Sequence, residues 1–316
     1  MSSNQAAVAR PPRRRLDGVL LLDKAIGISS NHALQAARHL FRAEKAGHTG
    51  TLDPLATGLL PLCFGEATKF SGELLDADKQ YLATVQLGVT TDTADAEGQV
   101  LETRPVVVSR EQLVGALNSF LGEIEQIPPM YSALKRDGKP LYEYARAGIE
   151  LERKARRVAI HSLELTDAES ALADGRFSFA VRCSKGTYVR TLAADIGELL
   201  GCGAHLAALR RTGIGSLDLS QGHTLAALEE FAPDVRDGLL LPVDFLLATL
   251  SEARLDANAA ARLCNGQTID WSGEADSRVR AYDDKGCFLG LCQQIGIDRL
   301  KPVRLVAGGE SEGSGT

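Results

Sequence analysis

AGHTGTLDPLATGLLPLCFG, residues Ala46–Gly65, holds a single acidic side chain, Asp53, directly before a proline and on the lip of an apolar run. An unpaired carboxylate is costly to bury, so Asp53 must be turned outward, paired or used. Asp-Pro makes a good turn or helix start, with Asp as N-cap and Pro in the first helical position. That reading explains the pair but not its setting. Gly47, Gly50 and Gly58 bracket the turn and point to tight backbone, while Leu59–Gly65 supplies a dry wall behind it. A carboxylate in such a pocket calls for a cationic partner. Arg190 is the candidate. It follows CSKGTY (183–188) near the start of a helix, beside Val189 and Leu192, which read as buried.

Outward from this stretch, strand and helix signals are mixed. Residues 29–41 place Leu34, Ala37 and Phe41 on one helical face, with Ser29 or Ser30 as N-cap. Residues 80–89 alternate Tyr81, Ala83, Val85 and Leu87 against Leu82, Thr84 and Gln86, which predicts a strand. Ser109 and Gln112 form a capping box ahead of a helix with Leu113, Leu117, Phe120 and Leu121 on one face. Phe177, Phe179, Val181 and Cys183 alternate as a strand. A helix follows with Val189, Leu192, Ile196 and Leu199 inward, stopping at Gly201. Strands and helices do not alternate regularly, which argues for an α+β fold with a mixed, largely antiparallel central sheet rather than a doubly wound one. Past Asp244 the character changes to one short helix (256–266) and short strands near 278–284, 287–296 and 301–307, a small β-rich unit. The expected division is a disordered basic arm at 1–15, a main domain at 16–248, a small domain at 249–309 and a flexible tail at 310–316.

The net charge of −6 argues against a polyanionic partner until its distribution is considered. From Lys135 to Arg157 there are eight Lys/Arg and four Asp/Glu, a basic segment on an acidic body. That segment is either a polyanion grip or a solvated face. Six cysteines with no CxxC and no zinc spacing suggest a reduced, cytoplasmic protein, with Cys287 and Cys292 read as apolar residues on neighbouring strands. No secretory signal or membrane span is expected. TDTADAEG (91–98) lacks calcium-loop spacing and reads as a solvent-facing turn.

Four long stretches carry a resemblance. GHTGTLDPLATGLLPLCFGEATK (47–69) resembles the catalytic motif of the pseudouridine synthases of the TruB type. DKQYLATVQLGVTTDTADAEG (78–98), QIPPMYSALKRDGKPLYEYARAGIE (126–150) and CSKGTYVRTLAADIGELLGCGAHLAALRRTGIG (183–215) resemble further motifs of that family, in order, from about Gly18 to Leu217. The C-terminal unit is similar, more loosely, to the family's small PUA-type RNA-binding domain.

The resemblance implies a synthase that isomerises the T-loop uridine of tRNA, position 55 in tRNA numbering, to pseudouridine without metal or cofactor. Asp53 falls on the family's nucleophile and Arg190 on its ion-pair partner. Tyr81 falls on the tyrosine that stacks on the flipped base, and Tyr188 on a second tyrosine near the ribose, a candidate for proton handling. Leu209 matches a leucine of the uracil pocket, and His48 a residue that fills space left by flipped nucleotides. By themselves, Tyr81 reads as a strand-edge aromatic and His48 as a satisfied turn histidine. Lys135, Lys139, Arg146, Arg153 and Lys154 become phosphate-facing candidates, with Tyr131, Tyr142 and Tyr144 interleaved among them. Arg210 and Arg211, with Lys185, either extend that grip or cover a helix. The implied partner is the T arm of tRNA, bound by a monomer without an obligatory protein partner. Two rivals stand beside this reading: a tRNA-binding folding chaperone that does not depend on catalysis, and a synthase whose sites are chosen by guide RNA.

Overall fold

The computed structural model describes residues 12–166, 172, 174–273 and 277–307. The expected tail and residues 1–11 of the expected arm lie outside them. The strands are β1 (Gly18–Lys24), β2 (Ala46–His48), β3 (Ala56–Phe64), β4 (Lys79–Leu87), β5 (Val89–Thr91), β6 (Val100–Thr103), β7 (Gly122–Gln126), β8 (Lys135–Arg136), β9 (Lys139–Pro140), β10 (Arg156–Leu165), β11 (Arg176–Cys183), β12 (Ala204–Ile214), β13 (Leu217–Asp218) and β14 (His223–Thr224). Helices α1 (Ser30–Leu40), α2 (Arg110–Ser119), α3 (Leu141–Arg146), α4 (Val189–Leu199), α5 (Leu225–Glu230) and α6 (Pro233–Asp237) surround them. The central sheet runs β14-β1-β3-β12-β4-β11-β10-β7, with β2 on β3 and β13 on β12. Only β1–β14 and β3–β12 are parallel among its pairings, so the sheet is mixed and largely antiparallel.

Both faces of this sheet are covered, which is why β1 and β3 are apolar almost throughout rather than alternating. Leu20 and Leu22 of β1 and Leu60, Leu62 and Phe64 of β3 pack with Ala33, Leu34, Ala37 and Phe41 of the α1 segment. Val19, Leu21, Leu59 and Cys63, the alternate residues, pack on the other side with Ile214, Leu217 and Leu246. A third cluster joins Leu113 and Leu117 of α2 and Leu192 and Ile196 of α4 to Val85, Phe177, Phe179 and Val181. Each such aliphatic side chain contributes roughly 1.5–3 kcal/mol by leaving water. Ser29 caps α1, accepting from His32 N–H at 3.1 Å, and the Ser109/Gln112 capping box closes the start of α2.

Asp53-Pro54 starts no helix. The turn runs straight into β3, with Ala56 N–H donating to Asp53 O at 3.1 Å, because the apolar residues that follow are claimed by the sheet. Leu199 is 58% exposed, and Leu121 lies beyond α2 and is exposed, so each inward stripe ends earlier than its periodicity implies. Within the expected arm, Arg14 is docked. Its N–H donates to Arg42 O at 2.8 Å and its guanidinium pairs with Asp237. Cys287 is exposed and Cys292 buried on one and the same stretch, not on neighbouring strands.

Beyond Asp244 come β15 (Glu252–Arg254), α7 (Ala257–Cys264), β16 (Ile269–Asp270), β17 (Arg278–Tyr282), β18 (Phe288–Ile295) and β19 (Arg299–Leu305), a separate sheet in the order β15-β17-β18-β19-β16. It docks on the 3-10 segment Gly65–Leu74 through Arg278–Glu73 at 2.9 Å, Lys69 Nζ to Leu305 O at 2.9 Å and the Phe70–Phe288 ring pair. Buried Asp244 ties the joint by accepting from Arg280 at 2.9 Å and from the Tyr282 hydroxyl.

Gly58 sits where β3 meets β12, at φ +98°. A Cβ there would lie 2.2 Å from Arg211 O, so no other residue fits without parting the strands. Gly58→Ala is expected to cost roughly 3 kcal/mol or more, from left-handed strain and overpacking together. Its thermal melt checks this; a wild-type melting temperature would show that the strands yield easily.

Candidate active site

β3 splits its free edge between two partners. Ala56–Gly58 pair with Leu209–Arg211 of β12, and Leu62–Phe64 pair with Ala46–His48 of β2. The loop 49–55, which carries Asp53, is therefore stretched across the fork. Three side chains fasten it. Ser30 Oγ accepts from Leu52 N–H at 2.8 Å and donates to Leu52 O at 2.9 Å. Arg211, buried inside the sheet, donates to Gly50 O at 2.8 Å and Leu59 O at 2.7 Å. Lys24, also buried, donates to Ala25 O and Ile28 O at 2.9 and 2.7 Å and reaches Pro54 O at 3.5 Å. Burial lowers the Lys24 ammonium to about 8, with Asp53 opposing the shift. Thr49 is buried in the turn, where its backbone N–H donates to Pro61 O at 3.1 Å while its hydroxyl has no partner among the described residues.

Arg190 stands on the first turn of α4 with its side chain only 6% exposed. One of its nitrogens, Nη2, lies 3.0 Å from Asp53 Oδ2 and donates to Tyr131 O at 2.7 Å. Nη1 donates to Thr93 O at 3.1 Å and lies 3.5 Å from Asp95 Oδ2. Asp95 is 4% exposed and accepts from Thr93 Oγ1 at 2.6 Å and Glu97 N–H at 3.1 Å. The 91–98 turn is thus solvent-facing only in part, at Asp92, Ala96 and Glu97. Its Asp95 and Thr91 are buried, because the turn folds inward to brace the guanidinium. Asp53, by contrast, keeps 45% of its side chain exposed and faces the cavities. A desolvated cation with fixed partners holds one carboxylate in a single orientation at an open mouth.

Two cavities meet there. The inner one is walled by Ala56, Tyr81, Tyr188, Val189 and Leu209; the outer cleft by His48, Tyr131, Tyr142 and Arg146. Tyr81 projects from β4 opposite Arg211 and Val181 in register. Burial raises its phenol above the ordinary 10, and the Arg211 guanidinium opposes that rise. Tyr188 is the N-cap residue of α4, but its side chain does not cap. Instead buried Gln126 takes its N–H at 3.0 Å and donates to its carbonyl at 3.3 Å, leaving the phenol to face the cavity. Burial raises this phenol as well, while the Ser132 hydroxyl, Arg156 and Arg190 pull it back. His48 is pushed down, first by burial and then by Arg211, and its Nδ1 finds no partner among the described residues.

The basic candidates separate. Arg146 lines the outer cleft, its guanidinium over the Tyr142 ring at 5.4 Å. Lys135, Lys139 and Lys154 are exposed away from the cavity linings, Lys139 lying over the Tyr144 ring at 5.6 Å. Arg153 is spent on Glu150 at 3.0 Å and the Leu151 carbonyl of its own loop and on the carbonyl of Pro128 in the segment after β7. Arg210 pairs with Asp23 at 2.7 Å and Lys185 with Asp76 at 2.7 Å. Arg211, on a strand rather than a helix, is inside the sheet, so the Arg210–Arg211 pair offers no free phosphate grip. Lys24, Asp95, Gln126 and Ser132 were given no role at the site by the sequence reading. Asp95, Gln126 and Ser132 at least stood in the singled-out stretches 78–98 and 126–150, whereas nothing in the spacing of Lys24 points to the site. Among the described residues no three His, Cys, Asp or Glu side chains are grouped as a metal site requires. A carboxylate oriented by a buried cation, over an apolar cavity with two phenols, can meet an electron-poor carbon while excluding water.

Comparisons with known proteins agree along most of the chain. Residues 38–189 match the TruB family pseudouridylate synthase N-terminal domain. Residues 190–248 match the tRNA pseudouridylate synthase B C-terminal domain, and 251–306 the pseudouridine synthase II TruB C-terminal domain. The chain is 58% identical over 297 residues to tRNA pseudouridine synthase B of Azoarcus sp. (strain BH72), spanning 94% of this chain and 97% of that one. It is 60% identical over 309 residues to the protein of the same name from Ralstonia pickettii (strain 12J), spanning 94% and 96%. A solved Cbf5-Nop10-Gar1 complex contains a chain that superposes with a TM-score of 0.70 at 25% identity, over 91% of this chain and 84% of that one.

Proposed function

This chain belongs to the TruB family of pseudouridylate synthases, which are isomerases, and from that premise we propose that it converts the T-loop uridine of tRNA, position 55, to pseudouridine with Asp53 as nucleophile. The observation that carries the reading is the half-exposed Asp53 carboxylate, held by buried Arg190 at the mouth of a cavity walled by Tyr81, Tyr188 and Leu209. The target nucleotide leaves its stack, and its uracil enters the inner cavity against Tyr81 and Leu209. Asp53 engages C1′ as the N1–C1′ bond breaks. The base turns, and the C5–C1′ bond forms. The proton lost from C5 is matched by one gained at N1, so no oxidant, reductant or water enters the balance. Tyr188, whose phenol stays protonated near neutral pH, is placed to relay that proton. The apolar walls keep water from the activated sugar. His48 and Arg146 line the outer cleft, where the flanking RNA lies.

The test is an unmodified tRNA transcript with the purified protein and no added metal or cofactor, read by nucleoside analysis and site mapping. Pseudouridine at the T-loop uridine is the expected result. Tight binding without product would favour the RNA-folding reading instead, to which the outer cleft lends support because it is lined largely apart from Tyr81, Tyr188 and Leu209. The partners named with the solved neighbour belong to that assembly.

Asp95 is a positioning residue on this reading. Asp95→Asn keeps the shape of the turn but removes one of the two carboxylates at Arg190. We expect the single-turnover rate to fall by about 10- to 100-fold through misplacement of Asp53, with KM little changed. An unchanged rate would mean that the two backbone carbonyls alone align Arg190.

A further inference from the structure

Six residues line both cavities and so form the neck between them: Thr51, Leu52, Asp53, Ser132, Ala133 and Arg190. Asp53 and Arg190 are engaged with each other, and Thr51 is exposed. Ser132 differs. It is only 5% exposed, and its hydroxyl has no hydrogen-bond partner among the described residues. The Tyr188 phenol lies close enough for that hydroxyl to lower it as a hydrogen bond would. The two do not meet in hydrogen-bonding geometry, so the Ser132 hydroxyl keeps capacity for a further partner. The backbone beneath is fixed: Tyr142 N–H, on α3, donates to Ser132 O at 3.1 Å, and Ser132 N–H donates to Met130 O at 2.9 Å. Buried hydroxyls are nearly always paired, so one that is rigidly placed and empty at a cavity neck marks a ligand contact.

The function proposed above, on which this inference rests, says which part of the ligand arrives there. With C1′ against Asp53, uracil in the inner cavity and the RNA backbone in the outer cleft, the ribose fills the neck. Its 2′-hydroxyl, on the carbon next to C1′, both donates and accepts, and it distinguishes RNA from DNA. We propose that the Ser132 hydroxyl hydrogen-bonds the ribose 2′-hydroxyl of the target nucleotide and makes the neck selective for RNA.

The experiment is a two-by-two comparison. A T-arm stem-loop carrying uridine or 2′-deoxyuridine at the target position alone is titrated against wild type and Ser132→Ala, and conversion of the uridine form is followed in parallel. Wild type is expected to bind the uridine form more tightly by roughly 3- to 10-fold, the range of one neutral hydrogen bond. Ser132→Ala, which removes a single atom, is expected to bind both forms alike and to match wild type on the deoxy form. A preference that survives in Ser132→Ala would overturn the proposal, since the 2′-hydroxyl would then be read by another group, Asp53 included. Equal binding of both forms by wild type would overturn it too. Failure of wild type to convert the uridine form would strike at the proposed function instead, and the binding comparison would still judge Ser132.

Discussion

Asp53→Ala should leave no measurable pseudouridine, with a rate below roughly 10⁻⁴ of wild type, the scale on which loss of a nucleophile is felt. RNA affinity should hold or rise slightly. The carboxylate contributes no phosphate contact, and removing a negative charge from a surface that meets a polyanion favours association. The variant should also fold. Asp53 is nearly half exposed, and without it Arg190 still has Asp95 and the carbonyls of Thr93 and Tyr131. Single-turnover assay on a tRNA transcript, filter binding and a thermal melt on one preparation separate the three statements. Residual conversion above background would remove Asp53 from the chemistry. Lost binding would mean that the carboxylate organises the RNA site instead.

Arg190→Ala should fail on two counts at once. Asp95, 4% exposed, is left as a buried charge without its cation, and breaking a buried pair from one side costs about 3–5 kcal/mol. The carbonyls of Thr93 and Tyr131 lose their donor as well. The molecules that remain folded should be at least about 100-fold slower, because Asp53 is no longer oriented. Denaturant midpoints and rates per folded molecule measure both effects. A coupling signature accompanies them: Arg190→Ala with Asp95→Ala should be less destabilised than the two single changes summed, because the second removes the stranded charge. A wild-type midpoint for Arg190→Ala would show that the guanidinium is incidental to the fold.

The pairing of Asp53 with Arg190 was open to sequence reasoning because both residues are out of place locally. One is a carboxylate in an apolar run, and the other a cation between residues that read as buried. Asp95 gave no such sign. In TDTADAEG every residue suits an exposed turn, and what buries Asp95 is a guanidinium nearly a hundred positions away. Lys24 reads as the polar end of a strand until three carbonyls are seen around it. Arg211 was misread for the converse reason. A charged pair in sequence suggests a surface, yet the fork of β3 leaves bare carbonyls at Gly50 and Leu59 that need an internal donor. The helices and long strands follow from local periodicity and capping. The order of strands in the sheet does not, because it is set by contacts between distant segments.

Arg190 knots together four stretches of chain: the Asp53 turn, the Thr93–Asp95 turn, the loop at Tyr131 and its own helix. Two neighbours at one site therefore face opposite fates under mutational drift. A lineage that kept its grip on RNA while abandoning the chemistry would be free to discard Asp53, whose loss barely disturbs the fold. It would have to retain Arg190, whose loss would strand the buried Asp95 charge and leave two carbonyls without their donor. An Arg190 that outlives its Asp53 would be the fossil of a retired synthase, and an intact pair is what a chain still at work preserves.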